Sequence, residues 1–217
     1  MVSTTGSAGT ARNVPEWATG LYLPELEQLA LRHAQYTEKH MMRGMFFTST
    51  LECLRRARGE EAVTLALRTA ALHAQKFSGM RNYPLAEFNN LRSVVGAQLQ
   101  ESLGSTEAAI ARIAGAAVEI FFESIAGRTM VALAGNDPHR LMGAAPNAYG
   151  LAVNDFASRV YSRTGERTGT FNFQNDLLGP CHQYGTFHAA ITAVCGIDLR
   201  MQVEQSTLAD FKLHVSW

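Results

Sequence analysis

Apolar and polar residues alternate in four short segments of the last third of the chain. The first two are Ser158–Arg163 and Thr168–Phe173, with a polar loop over 164–166 between them. The other two cover about Ile197–Gln205 and Ala209–Trp217. Alternation with a period of two is typical of half-buried strands, and a polar loop containing glycine between two such segments favours a hairpin. We therefore predict two β-hairpins.

A helical pattern separates the two predicted hairpins. Over His182–Val194 the apolar residues Tyr184, Phe187 and Ile191 recur at helical spacing,. The first two-thirds of the chain contains only helical patterns of this kind, without comparable alternation. The predicted fold class is therefore α+β, with an N-terminal helical layer packed on a four-stranded antiparallel sheet of ββαββ order.

The helical layer divides at glycines, prolines and capping residues. We predict helices that begin at Pro24, after the apolar and β-tolerant stretch Met41–Phe47, at Glu60, at Tyr83-Pro84 and at Thr106, and shorter helices over Pro138–Gly143 and Pro146–Ala152,. Met130–Ala134 is predicted as a short apolar segment. The helix from Thr106 to about Ile125 has apolar residues on more than one face, which is typical of a buried helix.

One folded unit is the expected organisation. Residues 1–20 are predicted to form a flexible tail, because Met1–Arg12 are mostly small and polar, and residues 21–217 a single domain,. The pattern before Met41 is compatible with either a docked helix or an arm that binds a partner.

Composition limits the classes of partner. Lys+Arg and Asp+Glu balance at 19 each, so the basic surface of a nucleic-acid-binding protein is not expected,. We expect no membrane span, because the most apolar stretch, around Ile110–Phe122, contains Arg112 and Glu119,. Three cysteines form too sparse a set for a disulfide framework, which favours the cytoplasm,.

Catalytic chemistry has little support in the sequence. Neither a phosphate-binding loop nor a dinucleotide fingerprint occurs. Glu60 and Glu61 are explained as residues of a helix start, where carboxylates are favoured,. The four residues Asp155, Asp176, Asp198 and Asp210 are interpreted as strand-edge and turn residues,. A protein without enzymatic activity is favoured.

Candidate metal ligands are scattered. His139 follows Asp137-Pro138 at a predicted helix start, where an exposed residue without ligand function is the simpler interpretation. Cys181, His182 and His188 form the densest group of potential ligands, but no pair has the i, i+4 spacing of helical zinc ligands,. We assign no metal site and keep His139, Cys181, His182 and His188 as weaker candidates.

Soft and bulky apolar side chains suggest a ligand pocket between helices and sheet. Plain core packing is the alternative, since methionine fills irregular gaps, and exposed members could form a dimer face. The candidate ligand-binding residues are Phe46, Phe47, Phe121, Phe122, Arg128, Met130, Met142 and Tyr149. Arg128 and Tyr149 are predicted as polar anchors at the mouth of the pocket.

Several landmarks occur in one order along the chain. They are Gly44-Met45-Phe46-Phe47, Gly59-Glu60-Glu61-Ala62, Tyr83-Pro84 with Phe88, Gly127-Arg128, Gly135-Asn136-Asp137-Pro138 with Leu141, Pro146-Asn147-Ala148-Tyr149 and Val215-Ser216-Trp217. This set resembles an uncharacterised family of proteins of roughly two hundred residues that is expanded as paralogues in myxobacteria. The resemblance covers about Met41 to Trp217.

That family is in turn distantly similar in layout to haem nitric-oxide/oxygen-binding domains, vinyl-reductase-type small-molecule-binding domains and Bet3-like trafficking subunits. The resemblance implies a helical layer over a ββαββ sheet. In the haem-binding relatives a proximal histidine lies on a helix before the first hairpin, and Tyr-x-Ser-x-Arg on the second strand binds the propionates. Here His139 is near the first position, whereas the second strand contains Phe171 and Phe173 and lacks both the phenol and the guanidinium.

The leading hypothesis is a non-enzymatic sensing or adaptor module. It would bind a small apolar molecule and signal its occupancy to a protein partner by shifting helices. The alternative is a structural homo-oligomer, such as a homodimer, whose helical face is a permanent interface without a ligand. A weaker alternative is a haem or metal sensor that uses His139 or the group around His182.

Overall fold

The computed structural model of the chain describes residues 14–72, 76–154 and 156–217. The described residues form eight α-helices and seven strands. The helices are α1 (Glu25–His33), α2 (Gly44–Arg58), α3 (Glu60–Thr69), α4 (Leu85–Leu103), α5 (Thr106–Glu123), α6 (Ile125–Ala134), α7 (Pro138–Ala152) and α8 (Pro180–Cys195). The strands are β1 (Met41–Arg43), β2 (Asn82–Pro84), β3 (Val153–Asn154), β4 (Ser158–Arg163), β5 (Thr168–Gln174), β6 (Arg200–Gln205) and β7 (Phe211–Ser216).

The main sheet contains four antiparallel strands in the order β4-β5-β7-β6. Two hairpins, β4-β5 and β6-β7, are joined in the middle by pairing of β5 with β7, where Phe171 lies opposite Leu213. Helix α8 connects the hairpins, so the predicted α+β fold and its ββαββ order are confirmed. Strand β6 begins at Arg200 rather than near Ile197, because Gly196 ends α8 in the left-handed conformation and a short connection follows.

Apolar residues on the inner face of this sheet form its core. Along β5 and β7 buried and exposed residues alternate, as the sequence predicts, and the rings of Phe173 and Phe211 stack with centroids 4.5 Å apart. The outer face is polar. Burial of one face of an antiparallel sheet accounts for the period of two in the sequence.

A second sheet, which the sequence analysis did not predict, has the order β2-β1-β3. Met41 lies opposite Pro84 on β2 and Asn154 on β3. Because each of these strands has only two or three residues, none is long enough to show an alternating pattern. The β-tolerant character of Met41–Phe47 is therefore correct only for its first three residues, and the rest begins α2.

Two helices differ from their predicted extent. Helix α7 is continuous over the two predicted pieces, with Pro146 in its interior, and Asp137 caps it by accepting hydrogen bonds from the backbone N–H groups of His139 and Arg140. The predicted segment Met130–Ala134 is the second half of α6, whose N-terminus is capped by Ser124. Proline usually interrupts a helix, and that rule gave the wrong boundary in α7.

Helix α5 is the central helix, as its apolar pattern predicts. It crosses α8 very closely at Gly185, where an added Cβ would lie 2.0 Å from the carbonyl oxygen of Ala111. Only glycine permits this approach of the two backbones. The crossing fixes the distance between the helical layer and the sheet, and the main cavity of the helical layer lies beside it.

The described residues before Met41 pack on the domain. Glu16–Ala18 form a 3₁₀ turn, and the ring of Trp17 stacks on that of Tyr184 with centroids 3.8 Å apart. Helix α1 follows and is docked, with Glu25 and Arg32 fully buried. Residues 14–20 of the predicted tail therefore pack on the domain, and residues 1–13 lie outside the described residues. Among the described helices none has the length and apolarity needed to cross a membrane.

Candidate functional site

A cavity of about 70 Å³ lies among α2, α5, α6, α7 and α8. Small and aromatic side chains line it: Phe46, Ala114, Ala117, Val118, Phe121, Phe122, Met130, Leu141, Met142, Ala145, Tyr149, Thr186, Phe187, Ala190 and Ile191. It lies close to the surface under α6, where Phe122 and Met130 are only half-buried and Ile125 and Leu133 are each 78 % exposed. A thin part of the helical layer therefore covers the cavity.

The wall of this cavity offers almost no polar group to a ligand. Its two hydroxyls are engaged elsewhere: Tyr149 donates a hydrogen bond to Oε1 of Gln183, and Thr186 donates one to the carbonyl oxygen of His182. Of the lining residues that the structure describes, none carries a charge or a metal-binding nitrogen or thiol. The cavity is suited to an uncharged apolar molecule.

Six of the eight predicted ligand-binding residues lie around this cavity. They are Phe46, Phe121, Phe122, Met130, Met142 and Tyr149. The other two lie elsewhere. Phe47 is buried on the far side of α2, where its ring stacks on Phe77 with centroids 4.6 Å apart. Arg128 is exposed and its guanidinium donates to the carbonyl oxygen of Glu123, so it caps the end of α5 instead of the mouth of the cavity.

The sequence analysis missed the rest of the wall. Ala114 and Ala117 were interpreted only as parts of a buried helix, and Phe187 and Ile191 only as one face of α8. A signal was present, because small residues on α5 (Ala114, Ala117) and on α8 (Ala190) leave space between facing helices. Without knowing which helices face each other, that signal does not define a cavity.

A buried polar network lies on the other side of α8 and touches the cavity only through Tyr149. Its centre is Asp176, which is fully buried and was predicted as a turn residue. Asp176 accepts hydrogen bonds from the backbone N–H groups of Leu178 and Gly179, from Nε2 of Gln183 at 2.7 Å, and from Arg159 at 2.9 Å. The turn interpretation was therefore incomplete, because Asp176 also organises the start of α8.

Arg159 links this network to the cavity wall. Its guanidinium carbon lies 4.4 Å from the ring centroid of Tyr149, whose hydroxyl donates to the same Gln183 that binds Asp176. Arginine above an aromatic ring is attracted by the ring's electron density. Tyr149 is thus held by contacts to both its ring and its hydroxyl.

Two more buried arginines extend the network towards the N-terminus. Arg92 on α4 donates to the carbonyl oxygen of Leu178 at 2.8 Å and to Asn89. Arg32 on α1 is paired with Glu25 at 2.9 Å and also donates to Gln28. Burial lowers the pKa of Arg92, whereas the carboxylate of Glu25 outweighs burial and raises the pKa of Arg32. The sequence gave no signal for these pairs, since arginine on a helix is normally exposed.

His139 lies outside the cavity wall and both its ring nitrogens are occupied. Nε2 donates to the carbonyl oxygen of Glu166 at 2.8 Å, so Nδ1 is the acceptor for the hydroxyl of Tyr161 at 2.6 Å. The ring of Trp217 packs against it at 4.7 Å. Burial raises the pKa of Tyr161 to about 12, which keeps this hydroxyl a donor. His139 therefore joins α7 to the first hairpin.

The other weak metal candidates do not converge. His182 is buried, with neither ring nitrogen bonded to a described residue, and burial together with Arg92 and Arg159 lowers its pKa well below the usual value. Burial keeps Cys181 a thiol by raising its pKa well above normal. The ring of His188 instead stacks on Tyr184. In the described part of the chain no group of three or more His, Cys, Asp or Glu side chains could hold a metal ion.

One family model matches the sequence over residues 35–217, and its description is protein of unknown function (DUF2378). Among curated proteins, no relative matches the sequence. The prediction of an uncharacterised family is therefore confirmed.

Solved structures of H-NOX proteins share the fold. An Fe(II) unliganded H-NOX protein from K. algicida superimposes with a TM-score of 0.65 at 15 % identity, covering 81 % of this chain and 96 % of that chain. An H-NOX protein from S. oneidensis in the Fe(II)NO ligation state gives 0.64 at 11 % identity, covering 81 % and 98 %. An oxygen-binding H-NOX domain related to soluble guanylate cyclases gives 0.59 at 10 % identity, covering 81 % and 94 %. The predicted distant likeness to haem nitric-oxide/oxygen-binding domains is confirmed at the level of the fold.

Proposed function

The chain belongs to the DUF2378 family, and from its cavity and its H-NOX-like fold we propose that it is a non-enzymatic small-molecule sensor. Its ligand is a small, uncharged, apolar molecule that binds among α5, α6, α7 and α8. The residues that contact the ligand include Phe46, Phe121, Phe122, Met130, Met142 and Tyr149. We place this sensor in the cytoplasm, where its free cysteines remain reduced,.

The observation that carries this proposal is the apolar wall with both hydroxyls already paired. A ligand with charge or unmet hydrogen bonds would lose its hydration without a replacement, which costs several kcal/mol. An apolar ligand gains about 25 cal/mol per Å² of buried surface and loses nothing of this kind. In an engineered protein an apolar cavity of roughly 150 Å³ remains dry and binds benzene or xenon. The present cavity, at about 70 Å³, accepts such a ligand after a small outward movement of its cover.

Haem, which the titles of the H-NOX structures mention, does not fit the residues present. The one histidine on α7, His139, uses both ring nitrogens in hydrogen bonds and does not line the cavity. On the second strand of the hairpin, Phe171 and Phe173 are buried in the core, where a haem propionate would need a phenol and a guanidinium. The proposal therefore does not include an iron cofactor.

Helices α6 and α7 are the elements that would move on binding. Met130 of α6 and Met142 of α7 both line the cavity. Proline at 146 has no N–H to donate to the carbonyl oxygen of Met142 one turn earlier, which weakens α7 within the cavity wall,. Binding would thus shift α7, and His139 would carry the shift to the first hairpin through its bonds to Tyr161 and Glu166.

The test is ligand titration followed by NMR of methionine methyl groups, with benzene and indole as probes. The methyl signals of Met130 and Met142 should shift on addition of the probe, whereas that of Met80, which is 76 % exposed, should not. Replacement of Ala117 by leucine fills the cavity and should remove the shifts. The matched control is Ala57→Leu, which adds the same side chain at an exposed position of α2.

Two results would overturn the proposal. One is the absence of methyl shifts at Met130 and Met142 with either probe. The other is haem in the purified protein, seen as a Soret band that His139→Ala abolishes and Ala117→Leu leaves unchanged.

A further inference from the structure

The two edges of the main sheet are treated differently. The β6 edge is covered by the residues before α1: the backbone N–H of Gln205 donates to the carbonyl oxygen of Gly20 at 3.1 Å, and that of Tyr22 donates to Oε1 of Gln205 at 3.0 Å. The approach is so close that a Cβ on Gly20 would lie 1.9 Å from the carbonyl oxygen of Val203. This edge is closed to other strands.

The β4 edge lacks the usual protection. Its six residues pair regularly with β5, from Ser158 opposite Gln174 to Arg163 opposite Gly169, and the backbone hydrogen bonds that described residues make along β4 run to β5. The strand contains no proline, lysine or bulge, which are the devices that normally prevent pairing at an edge. Val160 in its middle is 51 % exposed and Phe156 just before it is 62 % exposed.

We infer that β4 is a dimer interface, on which a second copy of this chain pairs its own β4 in antiparallel orientation. Residues that face each other across such a pair lie on the same side of the sheet, so a symmetric register must be centred on one residue. Centred on Val160, the register places Val160 opposite itself and Ser158 opposite Ser162 on the outer face. On the inner face it places Arg159 opposite Tyr161.

Charge is compatible with this pairing. In the register centred on Val160 no residue meets a like charge: Arg163 lies opposite Ala157, and Arg159 is already paired with the buried Asp176 at 2.9 Å. The chain has a formal net charge of zero, so two copies do not repel each other at long range,. The resulting dimer has one continuous sheet of eight strands.

The inference is independent of the proposed ligand. Native mass spectrometry of the full chain should show a species of twice 23.7 kDa at micromolar concentration. Val160→Lys should shift the population to monomer by at least tenfold, because two like charges would then meet at the centre of the pair. Asn172→Lys places the same charge on the exposed face of β5, away from the edge, and should leave the dimer unchanged.

Disulfide cross-linking tests the register. Directly opposite residues have Cβ atoms about 4.5–5.5 Å apart, which is near the range of a disulfide. Under mild oxidation Val160→Cys should therefore form a covalent dimer, whereas Ser162→Cys should not, and the wild type with its three native cysteines gives the background. A monomeric wild type would overturn the inference. So would a dimer that cross-links through Ile125→Cys on α6 and not through Val160→Cys.

Discussion

The two ends of α8 lie in opposite environments. Its first turn, with Cys181, His182 and Gln183, is embedded in a buried polar network in which Asp176 and three arginines form directed bonds. Its later part, with Phe187 and Ile191, faces an apolar cavity in which the hydroxyls are turned away. The hydroxyl of Tyr149 is the printed hydrogen bond that connects the cavity wall to the network.

This difference shows how one helix serves two purposes. Buried charges with several hydrogen bonds each are strongly sensitive to the loss of one partner, so the first turn of α8 is held in one geometry. An apolar cavity loses only dispersion contacts when its shape changes, so the other end of α8 tolerates movement. The polar side therefore provides a fixed frame, and the cavity side provides the part that responds to a ligand.

The largest expected effect comes from removing the centre of the polar network. Asp176→Ala leaves Arg159 buried to 6 % exposure of its side chain without its carboxylate, and also removes the acceptor for two backbone N–H groups. We expect the free energy of unfolding to fall by about 3–5 kcal/mol in urea denaturation.

The matched control removes an exposed ion pair on the same sheet. Glu204 pairs with Lys212 at 2.9 Å on the outer face, and Glu204→Ala should leave the urea midpoint nearly unchanged,. Equal destabilisation by the two variants would mean that the buried network is no more important than a surface pair.

Cutting the connection between the two sides should have a smaller effect. Tyr149→Phe removes the hydroxyl and leaves Oε1 of Gln183 without that donor, which should lower the free energy of unfolding by about 1–3 kcal/mol,. Affinity for benzene should change less than twofold, because the cavity surface is unaltered. A large loss of affinity would show that the hydroxyl contacts the ligand directly.

Acid should weaken the polar side through His182. In the unfolded chain this histidine titrates near its ordinary pKa of about 6.5, whereas in the folded protein burial lowers its pKa well below that value,. The unfolded state therefore takes up the proton first as the pH falls. Stability is complete above about pH 6.5 and declines below it, by about 1.4 kcal/mol at pH 5.5.

The variant His182→Met should remove this pH-dependent part of the loss, as measured by urea denaturation at pH 7.5 and 5.5. His214→Gln, on the exposed face of β7, is the control and should retain it. If the wild type and His182→Met lose stability in parallel, the neutral buried imidazole is not the cause.

The smallest effect distinguishes free space from packed core. Ala117→Val adds two methyl groups beside the cavity and should change stability by less than about 1 kcal/mol, whereas Ala66→Val, at a fully buried position of α3 away from the cavity, should cost about 1–3 kcal/mol,. Both variants carry the same helix propensity change, so thermal unfolding compares packing alone.

Sequence patterns predicted the elements that extend over several periods. The hairpins, α8 and the buried α5 were found because alternation or helical spacing repeats often enough to be recognised. The short sheet of β1, β2 and β3 was missed because strands of two or three residues carry no period. The continuous α7 was divided because Pro146 is tolerated there, against the usual rule.

The candidate site was predicted only in part. Bulky residues such as Phe121 and Met142 could be proposed from their type, but the small residues that create the space depend on which helices cross, as α5 and α8 do at Gly185. The role of Asp176 was not predictable, because its partners Arg159 and Gln183 are brought to it by the tertiary fold. Polar networks of this kind have no local sequence signature.

The cover on the β6 edge also determines whether an assembly is closed or open. A sheet with one free edge can close with a second copy, and the result has no free edge of the same kind. Residues 14–22, which precede the region matched by the family model, keep the number of free edges at one. A version of the protein shortened to residue 35 would have two, and identical copies could then add end to end without limit, as in a fibre.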